Sequence, residues 1–279
     1  AAFKIYANTI ARQRGINASA KGTFFDDLPA LRQAVRAEEV DVVGLQTQDY
    51  FAAEGDRTLD LMFTGELNHR IATEYVLLVP ADAKTTDLRD LRKGRLVELV
   101  GVKMGLARIW LDVLLMEKGL PSSADFFGSV RGEPKPTRAI LPVFFHQAEA
   151  CLVTREGYET MVEMNPQIGQ VLRVFASSPG VVPLVTCFRK GFAGRRREVT
   201  VSGYLEAHLH ADGKQVLTLF KVDRNVQYQP KDLDTARRLV AQHDALKGKK
   251  RTETLPRPRG SRIVLLGAHS AELSRRENP

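Results

Sequence analysis

The chain predicts an α/β protein of two lobes, each a mixed sheet flanked by helices, joined by two crossover strands. One observation is a duplication. Residues 137–161, TRAILPVFFHQAEACLVTREGYETM, pass from a helical pattern through an acid and an apolar strand run into a second helix, and the stretch from Leu31 to Tyr50 does the same. Asp41 and Glu149 stand 108 residues apart, as do Tyr50 and Tyr158. The other observation is a pair of apolar strand-like runs, Tyr75–Val79 and Val171–Ala176, at the points where the chain would leave one lobe and return to it.

Each element has its own signal. Phe3, Tyr6, Ala7, Ile10 and Arg14 keep helical spacing, and Gly15 and Asn17 end that helix. Residues 20–25 read as a strand. Leu28 to Ala37 reads as a helix with Pro29 in its first turn. Asp41 to Leu45 is a buried strand, and Thr47-Gln48-Asp49-Tyr50 opens the next helix. Leu59 to Thr64 gives another strand, and Tyr75–Val79 stops at Pro80. A polar turn leads to a strand over Leu96–Val100, and the loop Gly101–Gly105 leads to an amphipathic helix. Ile109, Leu111, Leu114 and Leu115 form its apolar stripe, and Gly119-Leu120-Pro121 ends it.

Phe126 to Val130 reads as a strand before the second copy of the repeated unit. In that copy Ile140, Leu141, Phe144 and Phe145 recur at helical steps, and Pro142 should kink or end their helix. Ala150–Val153 is short enough for a buried strand, and Thr154 takes the cap position of a helix carrying Tyr158. After the return strand comes the turn Ser177–Gly180, then a strand over Leu184–Phe188. Helices over Glu198–Leu209 and Leu233–Leu246 flank GKQVLTLFKVD. The resulting division is 1–78 with 173–246 as lobe 1, 79–172 as lobe 2, and 247–279 as a basic tail of disordered character, in which RIVLLGA stays unplaced.

Composition narrows the function. At 279 residues and 43% hydrophobic content the chain can bury one or two ordinary cores. No apolar run approaches the roughly 18 residues needed to span a bilayer, and no signal peptide is visible in the sequence given. The net charge of +8 is uneven: from Ala245 onward nine Lys/Arg stand against three acids, leaving about +2 for everything before. That tail has no aromatic residue for base stacking, so a nucleic-acid partner is not expected. Cys151 and Cys187 lie in apolar runs without a CxxC partner and read as small buried hydrophobes. Phosphate loops of the P-loop or dinucleotide type are absent, as is a Gly-x-Ser-x-Gly elbow. His146 has no companions at metal spacing and reads as structural, as do Asp41 and Glu149 before their strands. No catalytic residue, metal or cofactor is expected.

The motifs LPVFFHQAEACLVT, EMNPQI, VDVVGLQTQDY and GKQVLTLFKVDR resemble those of the phosphate/phosphite/phosphonate-type periplasmic solute-binding proteins of ABC importers, from near the start to about Ala245. The resemblance implies the type 2 periplasmic-binding-protein fold, an extracytoplasmic monomer, a small oxyanion ligand and docking on importer membrane subunits. It also implies a strand ahead of the first helix. No such strand is visible here, which reads as a truncated first lobe or a different sheet edge. A ligand-sensing domain, or an enzyme resembling menaquinone-pathway dehydratases with His146 and Glu149 as its nearest acid and base, is the alternative on the same fold.

In a two-lobed α/β protein, ligands gather at strand carboxyl ends and helix N-termini, where unpaired N–H groups and the helix dipole suit an anion. In lobe 1 this places Thr47, Gln48 and Tyr50 at the site. In lobe 2 it places the loop Val102–Gly105, with Lys103 supplying charge, Met104 beside it and Gly105 allowing close backbone approach. Thr137 opens a second helix there, next to Lys135 and Arg138. Tyr75 and Ser177 sit at the crossovers. Thr47 reads also as a helix cap, Tyr50 as a core aromatic and Lys103 as an exposed loop lysine. The loop departs from the family, whose phosphonate binders carry Ser and Thr hydroxyls before the Gly: here the residues are Val102, Lys103 and Met104.

Overall fold

The computed structural model describes residues 20–248 and 267–270. Within them the chain forms two compact units. One takes the described residues up to Ile71, Leu184–Pro230 and Gly267–Ser270; the other takes Ala72–Pro183 and the described residues 231–248.

In the first unit, β1 (Ala20–Thr23) pairs antiparallel with β11 (Gly267–Ser270). Helix α1 (Leu28–Arg36) starts where Asp27 accepts the Ala30 N–H at 2.8 Å, and buries Leu28, Leu31, Ala34 and Val35, the three- and four-residue spacing of one helix face. Strand β2 (Val42–Gln46) runs into α2 (Thr47–Glu54), and β3 (Leu59–Glu66) follows. With β9 (Leu184–Arg189) and β10 (Arg224–Gln227) these strands form a four-stranded sheet in the order β10-β3-β9-β2, antiparallel throughout. Its core is aromatic: Phe63 stacks on Tyr204 at 5.3 Å between ring centroids and meets Phe188 edge-on at 5.7 Å. Helix α8 (Gly194–Glu206) supplies Tyr204, and α9 (Ala211–Leu219) supplies Val216 and Leu217. Asp41 is buried just ahead of β2 as a partner of Arg189, whose Nη2 lies 2.8 Å from its Oδ1.

The second unit holds β4 (Tyr75–Pro80), β5 (Arg95–Leu99), β6 (Ser129–Glu133), β7 (Ala150–Thr154) and β8 (Leu172–Ser177) in the order β6-β5-β7-β4-β8. β5 runs parallel to β6 and β7, while β4 runs antiparallel to β7 and β8, so this sheet is mixed. β4 and β7 are interior strands and are buried along their whole length. Helices α3 (Ala107–Glu117), α4 (Ser123–Phe126), α5 (Pro136–Phe144), α6 (Arg155–Met164), α7 (Gln167–Val171) and α10 (Asp234–Gly248) complete the unit. Glu149 serves structure here: it accepts the Arg95 backbone N–H and grips that side chain, which holds its carboxyl below the usual carboxylate range.

The duplication is reproduced residue for residue. Helices start at 28 and 136, strands at 42 and 150, and following helices at 47 and 155, an offset of 108 each time. Thr154 caps α6 by accepting the Gly157 N–H at 3.0 Å.

Other expectations are corrected. Both crossover strands lie wholly in the second unit's sheet, so the chain passes between units before β4 and after β8 rather than at residues 78 and 173. The helix expected over Leu233–Leu246 belongs to the second unit, where Ala236, Leu239 and His243 are buried and His243 faces Asp112 of α3 at 3.5 Å. Phe126 ends a helical turn, not a strand: Asp112 accepts the Ser123 N–H at 2.7 Å and fixes the turn, and β6 begins three residues after Phe126. The expectation for Pro142 holds, since α5 ends two residues later at Phe144; the Pro142 carbonyl accepts from Gln147 and Ala148, and His146 leaves the helix with φ 53°. The segment GKQVLTLFKVD, given no element from the sequence, contributes the last residues of α9. The expected first helix, and the tail apart from Gly267–Ser270, lie outside the described residues. Cys151 and Cys187 are free and buried.

Candidate functional site

Strand register assembles the second unit's candidates. Because β5 is parallel to β6 and β7, the carboxyl ends of all three share one edge of the sheet. Pairing of β4 with β7 sets Tyr75 opposite Thr154, and pairing of β8 with β4 sets Ser177 opposite Val76. The loop after Leu99, the start of α5 with Thr137, the start of α6, Tyr75 and Ser177 therefore line the same edge.

Tyr75 is fully buried, and its hydroxyl donates to the Lys103 carbonyl at 2.8 Å. Burial pushes its phenol up, so it stays a protonated donor. Ser178 closes the other side: its Oγ accepts the Tyr75 N–H at 2.8 Å, and its own N–H bonds the Tyr75 carbonyl. Val102–Met104 forms a single 3₁₀ turn closed by Met104 N–H on the Gly101 carbonyl at 3.0 Å. Met104 is buried beneath it. Gly105 has φ −55°, which any residue adopts, so no left-handed turn demands a glycine there. The Lys103 ammonium lies 3.5 Å from Glu156 in α6. Thr137 is half-buried at the second position of α5, whose start has no side-chain cap.

In the first unit, Gln46, Thr47 and Gln48 lie at the carboxyl end of β2, where β9 begins. Thr47 is fully buried and is the first helical residue; the cap position is Gln46, which makes no side-chain cap bond. Gln48 donates to the Gln46 side chain at 2.5 Å, and its own Oε1 is buried without a hydrogen-bond partner among the described residues. Tyr50 packs into the core, with its hydroxyl 3.4 Å from Glu54. Tyr158 is partly buried against the second unit's core.

The structure adds a residue the sequence reading passed over. Arg155, the first residue of α6, donates through Nε to Glu74 at 2.5 Å and through Nη2 to the Ser177 hydroxyl oxygen at 2.7 Å. The duplication gives a sequence signal for it, since Arg155 lies 108 residues after Thr47. The acid/base alternative finds no such assembly. Glu149 sits at the amino end of β7 beside Arg95, at the opposite edge, and His146 is exposed near Asp82 at 3.8 Å. Among the described residues no group of three or more His, Cys, Asp or Glu is placed to hold a metal ion, and no helix is long and apolar enough to cross a membrane.

The profile of the family described as "ABC transporter, phosphonate, periplasmic substrate-binding protein" matches residues 2–233, most of the chain. The chain belongs to that family. Its fold is the two-lobed α/β fold of periplasmic substrate-binding proteins, as solved structures bear out. A binding protein component of an ABC phosphonate transporter from Pseudomonas aeruginosa aligns with TM-score 0.65 at 14% identity, covering 91% of this chain and 84% of its own. PhnD1 from Prochlorococcus marinus in complex with methylphosphonate aligns with TM-score 0.60 at 15% identity, covering 87% and 92%. XAC2383 from Xanthomonas citri bound to ATP aligns with TM-score 0.65 at 15% identity, covering 88% and 93%. No curated protein matches the chain in sequence. As a family of substrate-binding proteins of ABC transporters, its members bind small ligands and work with membrane subunits in the periplasm.

Proposed function

We propose that this chain captures a small phosphorus oxyanion: a phosphonate, phosphate or a phosphate-ester-like compound. It acts as a monomer outside the cytoplasm and delivers the ligand to the membrane subunits of an ABC importer, without catalysis or nucleic acid. The observation that carries this reading is the family match across residues 2–233, which takes in both of the larger sheets. Two structural neighbours of the same fold are named with phosphorus oxyanions of very different bulk, methylphosphonate and ATP, which supports the phosphorus group as the shared element and leaves the organic part open. The second unit's edge supplies what such a group requires: a helix start without a side-chain cap, and cations that are only partly exposed.

The test is thermal unfolding with methylphosphonate, inorganic phosphate, a phosphate monoester, methanesulfonate and acetate, each at millimolar concentration. A ligand present at 100 times its Kd stabilises by about 2.7 kcal/mol, which for a protein of this size raises the melting temperature by roughly 5–10 °C. A rise with a phosphorus oxyanion and none with acetate is expected. No rise with any phosphorus oxyanion overturns the reading.

A further inference from the structure

We propose that the Arg155 guanidinium, together with the Ser177 hydroxyl, is the anion anchor of the second unit. The inference rests on the reading that the ligand is an oxyanion, and adds the residues that grip it.

Lys103 and Arg155, both on this edge, differ as anchors. Lys103 is a single point charge, its side chain is 16% exposed, and it already faces Glu156 at 3.5 Å. Arg155 carries five N–H donors in one plane. Nε is spent on Glu74 and one Nη2 hydrogen on Ser177. The remaining three have no partner among the described residues, and the side chain is 29% exposed. A second bond to Glu74, from the Arg155 backbone N–H to its carbonyl at 2.8 Å, fixes the base of the side chain. The fork is thus held in place before any ligand arrives, so binding loses little rotamer freedom.

Ser177 extends the fork. Its oxygen accepts from Arg155, which leaves its own O–H to donate outward, and the residue is exposed at the end of β8. A phosphonate or phosphate monoester has three terminal oxygens. Two match a guanidinium edge in the bidentate manner, and the third is open to the serine hydroxyl. A carboxylate has only two. The arrangement therefore selects tetrahedral oxyanions. Glu74 balances the arginine when the site is empty, so the guanidinium is not left partly buried and unpaired.

The experiment is calorimetric titration of the full chain with methylphosphonate and with inorganic phosphate, in the native protein and in Arg155→Gln, Arg155→Lys and Ser177→Ala, alongside the melting temperature of each ligand-free protein. Loss of a charge-assisted bidentate contact predicts a rise in Kd of roughly 10- to 100-fold for Arg155→Gln. Arg155→Lys should recover only part of this, because an ammonium keeps the charge but not the fork. Ser177→Ala should weaken binding by about fivefold. A native protein that binds neither anion overturns the oxyanion reading and the anchor with it. Native binding with Arg155→Gln within twofold of it overturns the anchor alone. A lower melting temperature with unchanged Kd in the folded protein marks Arg155 as structural and also overturns it. Should Arg155→Gln fail to fold, Arg155→Lys decides: an unchanged Kd overturns the anchor, and a weakened one supports it.

Discussion

Replacing Tyr75 by Phe isolates one hydroxyl. The ring, fully buried among β4 and its neighbours, is retained, so no cavity opens; what disappears is the donor to the Lys103 carbonyl at 2.8 Å. A neutral hydrogen bond of this kind contributes about 1 kcal/mol net. That corresponds to a factor of roughly five between the docked and undocked loop. The loss should fall locally, because the bonded carbonyl belongs to the 3₁₀ turn Val102–Met104, whereas β4 keeps its ladder bonds to β7 and β8. Hydrogen exchange read by mass spectrometry measures this directly. Peptides covering residues 102–106 should exchange about fivefold faster in Tyr75→Phe, and those covering β5 and β7 should not change. Loop exchange equal to the native protein would refute the idea that Tyr75 positions the loop. Equal acceleration of loop and core strands would refute its locality.

Three further outcomes are expected. Asp41→Ala removes the buried partner of Arg189 and leaves that guanidinium to the exposed Glu38 carboxylate at 3.2 Å, which should cost about 2 kcal/mol by urea unfolding. The second effect concerns Asp112, whose burial works to raise its carboxyl but is outweighed by bonding from His243 and Ser123, so its folded value lies below the ordinary one. A depressed value stabilises above the unfolded value of about 3.9 and loses that contribution as pH falls through the folded value. The stability advantage of the native protein over Asp112→Asn should therefore be steady at neutral pH and shrink in acid below about pH 4, as urea midpoints across pH will report. Finally, burial pushes the thiols of Cys151 and Cys187 up, so a thiol reagent should label neither in the native protein and both, all 2 cysteines of the chain, in urea.

Much of the fold was legible because the repeated unit carries strong local signals. Asp27 and Thr154 occupy cap positions, Leu28, Leu31, Ala34 and Val35 mark one helix face, and Ala150–Val153 is too apolar and too short for anything but an interior strand. The misreadings have physical causes. Phe126 and Phe127 look strand-like in isolation, yet their rings pack edge-on at 5.0 Å around a turn that Asp112 fixes from another helix. The placement of α10 was hidden for the same reason, since the partner of His243 lies 131 positions earlier in the chain.

The site was legible in outline and not in its chemistry, and the difference follows from what each depends on. Which segments reach a strand's carboxyl end is a matter of order along the chain, so Lys103, Thr137 and Ser177 could be named from pattern alone. Which side chains touch at that edge depends on the register between strands. The Arg155–Ser177 contact exists because β7 pairs with β4 at Thr154 and Tyr75, and β4 pairs with β8 at Val76 and Ser177. A one-residue slip in either pairing would turn Ser177 to the other face of the sheet. Lys103 and Arg155 are each matched by a carboxylate, Glu156 and Glu74, so neither stands out as an unbalanced charge. Recognition at such an edge rests on directed donors rather than on net field. Directed donors belong to the folded register, which is why Arg155 emerges only once the strands are aligned.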